Sequence, residues 1–381
     1  MRAFFGERGL RKRVTALPLR RWAMFGIQTA VMLTWLIYVL VAGELDRAID
    51  NWESAVTMIF GSFIAGSSPG GAGVVAFPVL TKVLDVPAEI ARSFTLSTQA
   101  LGMTCAACAI VLARRHVEWR ALVVGLPVGT AGFLIFLFLL GEPDRAFWPS
   151  TLSAGLIKVT FTLLLAAMAV AMLLLRREDD MGQQQVPHWN RRVWGGMVLI
   201  AFVGGGISAW TGAGVNVLVF LFLVVMAGLH PRVGIPTSVL LMAGISIVGL
   251  VTLGFLDGQF DIGLSADGER VIALEGRAFG PVEASRYDLR GLWLAAIPIV
   301  AWGAPLGTWV VTRLREDLLV TFLGLAALVE VVSTFALVDQ LHHDTALLAY
   351  AIVGLVVAVA GVVLLRRHRV SILGLPVDGD A

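Results

Sequence analysis

Apolar windows recur along almost the whole chain, at roughly 22–42, 54–84, 89–113, 119–140, 148–175, 193–229, 232–256, 289–312, 317–338 and 344–365. As helices, runs of about 20 residues cross about 30 Å of hydrocarbon. A membrane β-barrel would instead alternate in short segments. The pattern predicts an all-α polytopic membrane protein. Two windows are interrupted in the same way. "GSSPGGAGVV" (Gly66 to Val75) and "SAWTGAGVNV" (Ser208 to Val217) each place Gly-Ala-Gly-Val where a helix would continue.

The positions of the basic residues give a topology. Arg2, Arg8, Arg11, Lys12, Arg13, Arg20 and Arg21 precede the first window. "RRHVEWR" (114–120), the ends of the 176–192 loop, "RLRED" (313–317) and "RRHR" (366–369) are also basic. The loops at 43–53, 142–145, 257–288 and 339–344 are acidic or poor in basic residues. Lys and Arg mark the cytoplasmic side, so both termini are expected inside. Between 43–53 outside and 114–120 inside lie segment 54–84 and one helix, so 54–84 must enter and leave on the outer face. Segment 193–229 must enter and leave on the inner face. The short arms of the first hairpin predict a re-entrant element, and the second has longer arms. The long basic leader lacks a small-residue cleavage site after its apolar run, which predicts a retained helix.

Aligning Gly71-Ala72-Gly73-Val74 on Gly212-Ala213-Gly214-Val215 places Ser67 over Ser208 and matches the helices that follow. The expected architecture is an inverted repeat of a hairpin plus three helices, with the two breaks meeting near the midplane. Residues 1–53 carry a basic N-terminus and an extra helix, 54–175 the first repeat, and 176–192 a cytoplasmic linker. Residues 193–338 form the second repeat, with an extracytoplasmic insert at 258–287, and 339–381 add a helix and tail. "DGERVIALEGRAF" in the insert predicts a small hairpin.

Non-helical backbone at membrane depth must be buried in protein or line a wet cavity. Each half-helix that restarts after a break offers free N–H groups and a positive dipole end to an anion. The candidate substrate-binding residues are Ser67, Ser68, Gly70, Gly71 and Gly73 at the first tip and Ser208, Thr211, Gly212, Gly214 and Asn216 at the second. Ser97, Gln99 and Thr237 on the following helices could complete the site, or serve interhelical hydrogen bonds. Tight packing of small residues at the tips is the competing reading. Arg92, Lys158 and Glu330 are candidates for charge or proton coupling. Lys158 and Glu330 occupy related helices, so a structural pair is the alternative.

At the breaks the chain resembles the TauE/SafE family, the sulfite and organosulfonate exporters. Gly66, Gly71, Gly73, Pro78 and Leu80 fit that family's first-half pattern, with Pro69 and Ala72 in place of glycines. The second half keeps Gly212 and Gly214, with Thr211 and with Val219 in place of proline. "HVEWR" and "APLGTWVVTRLREDLLVTFLGL" (Ala304 to Leu325) extend the resemblance over about 54–338. It implies export of a small anion from the cytoplasm of a bacterium across its inner membrane.

The composition agrees with a bilayer-embedded chain: 57% hydrophobic and 15% charged, mean hydropathy +0.84, where a soluble domain is about a quarter charged. The leading function is a secondary transporter for sulfite or an organosulfonate, working by alternating access. An anion channel and a small-carboxylate transporter are the alternatives. An intramembrane enzyme is the weakest, because all six histidines fall in loops or at helix ends. Neither a cofactor nor a metal is expected: Cys105 and Cys108 share one apolar segment and read as packing residues. The expected partners are the small anion and the bilayer, with proton coupling and a homodimer both compatible and no role for nucleic acid.

Overall fold

The computed structural model describes residues 6–139, 141–142, 145–149, 153–175, 183–186, 188–261, 273–274, 277–278, 288–311, 313, 316–368 and 372. Helices dominate. α1 (Gly6–Val41) and α2 (Leu45–Asp50) lead into α3 (Trp52–Ser67), which breaks before α4 (Gly73–Pro78), itself continued by a π turn, Val79–Val83. Then come α5 (Ala88–Leu112), α6 (Trp119–Leu139), the strands β1 (Gly141–Glu142) and β2 (Arg145–Pro149), and α7 (Ala154–Leu175). The second half repeats the order: α8 (Arg191–Thr211), a break, α9 (Val215–Leu221) with a π turn Phe222–Met226, and α10 (Pro231–Gly249) running on to Leu256. The strands β3 (Ala273–Leu274) and β4 (Arg277–Ala278), then α11 (Leu289–Val311) and α12 (Glu316–Leu337), follow. α13 (Asp339–His343) and α14 (Thr345–Arg367) close the chain.

Among the described residues, eight helices are long and apolar enough to cross a bilayer. The chain is a multi-pass, all-α membrane protein. The small hairpin expected in the 258–287 insert is present as the antiparallel pair β3–β4, although most of that insert lies outside the described residues. The window expected from 148 begins as a helix only at Ala154, because Arg145–Pro149 pairs with β1 instead. α2 and α13 were not foreseen; each is too short to leave a periodic signal.

Corresponding pieces of the two halves pack alike. α3 runs parallel to α11: Ser54 Oγ donates to Leu292 O (2.7 Å) at one end, and Gly66 lies against Ala304 O at the other. α8 runs parallel to α6, with Met197 at Gly125 and Phe202 at Gly132. The close approaches recur in pairs. A methyl group on Gly66 would collide with Ala304 O, and one on Gly205 with Gly129 O. Likewise Gly307 meets Phe63 O, and Gly132 meets Phe202 O. Small residues at these points let backbones touch where lipid supplies no hydrophobic drive between helices.

α5 and α10 form the centre. Leu96 packs on Gly249, while Thr237 Oγ1, near the start of α10, accepts the Glu118 N–H (3.0 Å) beyond the end of α5. The contacts run in opposite order, so the two helices are antiparallel. In its most apolar window α5 is 61% buried, against 11% for Trp22–Val41 and 17% for α14. The terminal helices therefore stand at the periphery.

Candidate functional site

At the first break α3 ends at Ser67, Ser68 is extended, and Gly71 adopts φ +71° before α4 starts at Gly73. At the second, α8 ends at Thr211, Gly212 adopts φ +75°, and α9 starts at Val215. Glycine enters this left-handed region without the penalty a Cβ brings. The two tips rest on one face of α5. A Cβ on Gly71 would stand 3.1 Å from Asn216 Nδ2 and 3.2 Å from Gln99 Oε1. One on Gly212 would stand 2.9 Å from Arg92 O and 3.2 Å from Thr95 Cβ. Gln99 Nε2 donates to Gly212 O (3.4 Å). Arg92, Thr95 and Gln99 follow one another at helical spacing and form the floor under both breaks.

The two tips differ in how their amides are used. At the second, Ser208 Oγ accepts the Val215 N–H (2.9 Å) and donates to Gly204 O (2.9 Å). Thr211 Oγ1 accepts the Ala213 N–H (3.3 Å), and Asn216 Oδ1 accepts the Gly214 N–H (3.1 Å). The first N–H of α9 is thus taken by a side chain of α8, while among the described residues no acceptor takes the N–H groups of Asn216 and Val217. At the first tip Ser68 Oγ accepts the Gly70 N–H (3.2 Å), and Ser67 Oγ leans on Ile64 O (3.4 Å). Among the described residues no acceptor takes the N–H groups of Ala72, Gly73 and Val74. Capping requires a side chain that reaches back. Ala72 and Gly73 have none, whereas Thr211 and Asn216 do.

Buried polar atoms at both tips lack partners among the described residues: Arg92 Nε and Nη2 beneath the second, and Gln99 Oε1 and Asn216 Nδ2 beside Gly71. Arg92 is fully buried. Its Nη1 donates to Ala209 O (3.2 Å); the carboxylates of Glu89 and Asp257 act on it electrostatically, but among the described residues none forms a salt bridge with it. Buried polar atoms are normally bonded, and an unpaired buried charge is costly.

Other expected site residues lie elsewhere. Ser97 is buried but two positions from both Thr95 and Gln99, so it faces away from the tips. Thr237 braces the loop at Glu118. Lys158 donates to Thr81 O (3.3 Å), and Glu330 pairs with Lys82 (2.7 Å) rather than with Lys158. Sequence reading missed Lys82, although a lysine inside the 54–84 apolar window was the available signal. Thr162 Oγ1 donates to the same Glu330 oxygen (3.0 Å). Its neighbour Phe161 packs on Phe77 (ring centroids 4.9 Å apart) and against Gly73 of the first tip. No group of three metal-ligating side chains occurs among the described residues.

Comparison with known proteins adds a family. No curated protein and no solved structure gave a match. The model of the family described as Sulfite exporter TauE/SafE matches residues 54–329. That span begins in α3, takes in both breaks and α5, and leaves α1 and α14 outside. The chain belongs to the TauE/SafE sulfite exporter family of membrane transporters.

Proposed function

We propose that the protein is a secondary transporter that exports a small anion, sulfite or an organosulfonate, by alternating access. The observation that carries this reading is Arg92: a guanidinium buried beneath the second tip, with two nitrogens that find no hydrogen-bond partner among the described residues and with Glu89 and Asp257 acting on it only from beyond salt-bridge distance. An anion supplies what this charge lacks. The unbonded N–H groups of Ala72, Gly73 and Val74 and the Asn216 amide add neutral donors over the same face of α5. Gly71 and Gly212 shape the approach. Ser68, Ser208 and Thr211 hold the tips in place from within.

The matched packing of the two halves and the antiparallel α5 and α10 support an inverted repeat, the arrangement in which one half rocks against the other around a fixed site. The basic loops support a bacterial inner-membrane orientation with both termini cytoplasmic. An inside-negative potential drives each unit of negative charge outward by about 2.3 kcal/mol per 100 mV. Export therefore proceeds without ATP.

Purified protein in liposomes tests this. Labelled sulfite flux should rise with an imposed potential and saturate with concentration at low turnover. Flux that grows linearly with concentration would instead identify a channel, and flux of carboxylates alone would exclude sulfonates and sulfite as the cargo.

A further inference from the structure

The unpartnered atoms at the tips are not all donors. Arg92 Nε and Nη2 and Asn216 Nδ2 donate, but Gln99 Oε1 accepts. The orientation of both amides is fixed by backbone neighbours. Gly212 O can only accept, so Gln99 must turn Nε2 toward it (3.4 Å). The Gly214 N–H can only donate, so Asn216 must turn Oδ1 toward it (3.1 Å). Flipping either amide would set acceptor against acceptor or donor against donor. The outward pair is then one donor and one acceptor, on either side of Gly71, from side chains with no exposed surface.

We infer that the transported anion carries a hydrogen-bond donor beside its charge, an O–H or N–H group that Gln99 Oε1 receives. This rests on the anion-site reading above and narrows it. The class is a hydroxylated or amino-bearing sulfonate, or a singly protonated oxyanion. A fully deprotonated oxyanion presents only lone pairs. It satisfies Arg92 and Asn216 but sets an oxygen against the Gln99 carbonyl or leaves that carbonyl buried and unbonded. A site built to bond a substrate hydroxyl rejects the analogue that lacks it more strongly than an apolar pocket rejects a missing methylene. Leaving one buried acceptor unsatisfied weakens binding about ten- to a hundredfold.

Ethanesulfonate and 2-hydroxyethanesulfonate carry the same charge and differ by one hydroxyl. Calorimetric titration of the purified full chain with each should give at least about tenfold tighter binding of the hydroxylated probe. Gln99→Met, close in length and without the acceptor, should bring the ratio near one by weakening the hydroxylated probe alone. Equal binding of both probes by the unmutated protein overturns this inference and leaves the anion site standing. So does a Gln99→Met protein that keeps the preference. Failure of the unmutated protein to bind either probe, or sulfite, counts against the anion site itself. The unmutated comparison decides even where the variant fails to fold.

Discussion

Lys82 Nζ lies 2.7 Å from Glu330 Oε1, with both side chains 2% exposed, and joins the arm of the first hairpin to α12 in the other half. Ser333 and Thr334 hydroxyls complete the ammonium's shell, and Thr162 bonds the carboxylate. Removing one member of such a pair strands the other charge, at about 3–5 kcal/mol, whereas replacing both with apolar groups is often neutral. Glu330→Gln should therefore lower the melting temperature of the purified protein markedly. Lys82→Met combined with Glu330→Leu should recover most of the loss. A Glu330→Gln protein that melts unchanged would show that the pair contributes nothing to stability.

Gly71 and Gly212 are expected to be intolerant for related reasons. At φ +71° and +75° any Cβ is strained, and at Gly212 it would also press on the Arg92 carbonyl. Gly71→Val and Gly212→Val should abolish transport while the protein still inserts and purifies. Normal flux in the Gly212 variant would show that the second tip is only a packing turn.

Ser208 should behave differently from a ligand-binding hydroxyl. Its oxygen is occupied by the Val215 N–H and its proton by Gly204 O. Ser208→Ala should cost about 0.5–2 kcal/mol of stability, as the loss of a helix cap does, and should leave ligand affinity within about twofold. A large change in affinity with unchanged melting would reverse this assignment.

The orientation can be read by single-cysteine labelling in a Cys105/Cys108-free background. Position 85, exposed where the chain leaves the first hairpin, should react with an impermeant reagent from the outside. Labelling of that position from the cytoplasm alone would contradict the re-entrant path.

Much of this was legible in the sequence because membrane helices announce themselves by length and composition. The breaks were visible because Gly71 and Gly212 sit where no soluble loop could be. The internal economy of the tips was not legible. Whether Ser208, Thr211 and Asn216 face a ligand or cap α9 depends on a turn of a few ångströms that no periodicity encodes. The same holds for Glu330, whose partner Lys82 is 248 residues away and was passed over in favour of Lys158. Arg92 was readable as an oddity. Its burial with two guanidinium nitrogens unbonded became visible only when the second hairpin was laid across α5.

Arg92 is also where the account is most exposed. The direct measurement is the equilibrium affinity of purified protein for sulfite in three forms: unmutated, Arg92→Lys and Arg92→Gln. Charge-assisted bonds to a buried anion predict a loss of about tenfold or more for Arg92→Gln. They also predict partial recovery for Arg92→Lys, which keeps the charge and gives up the planar fork. An Arg92→Gln protein that folds and binds sulfite with unchanged affinity would contradict the anion site.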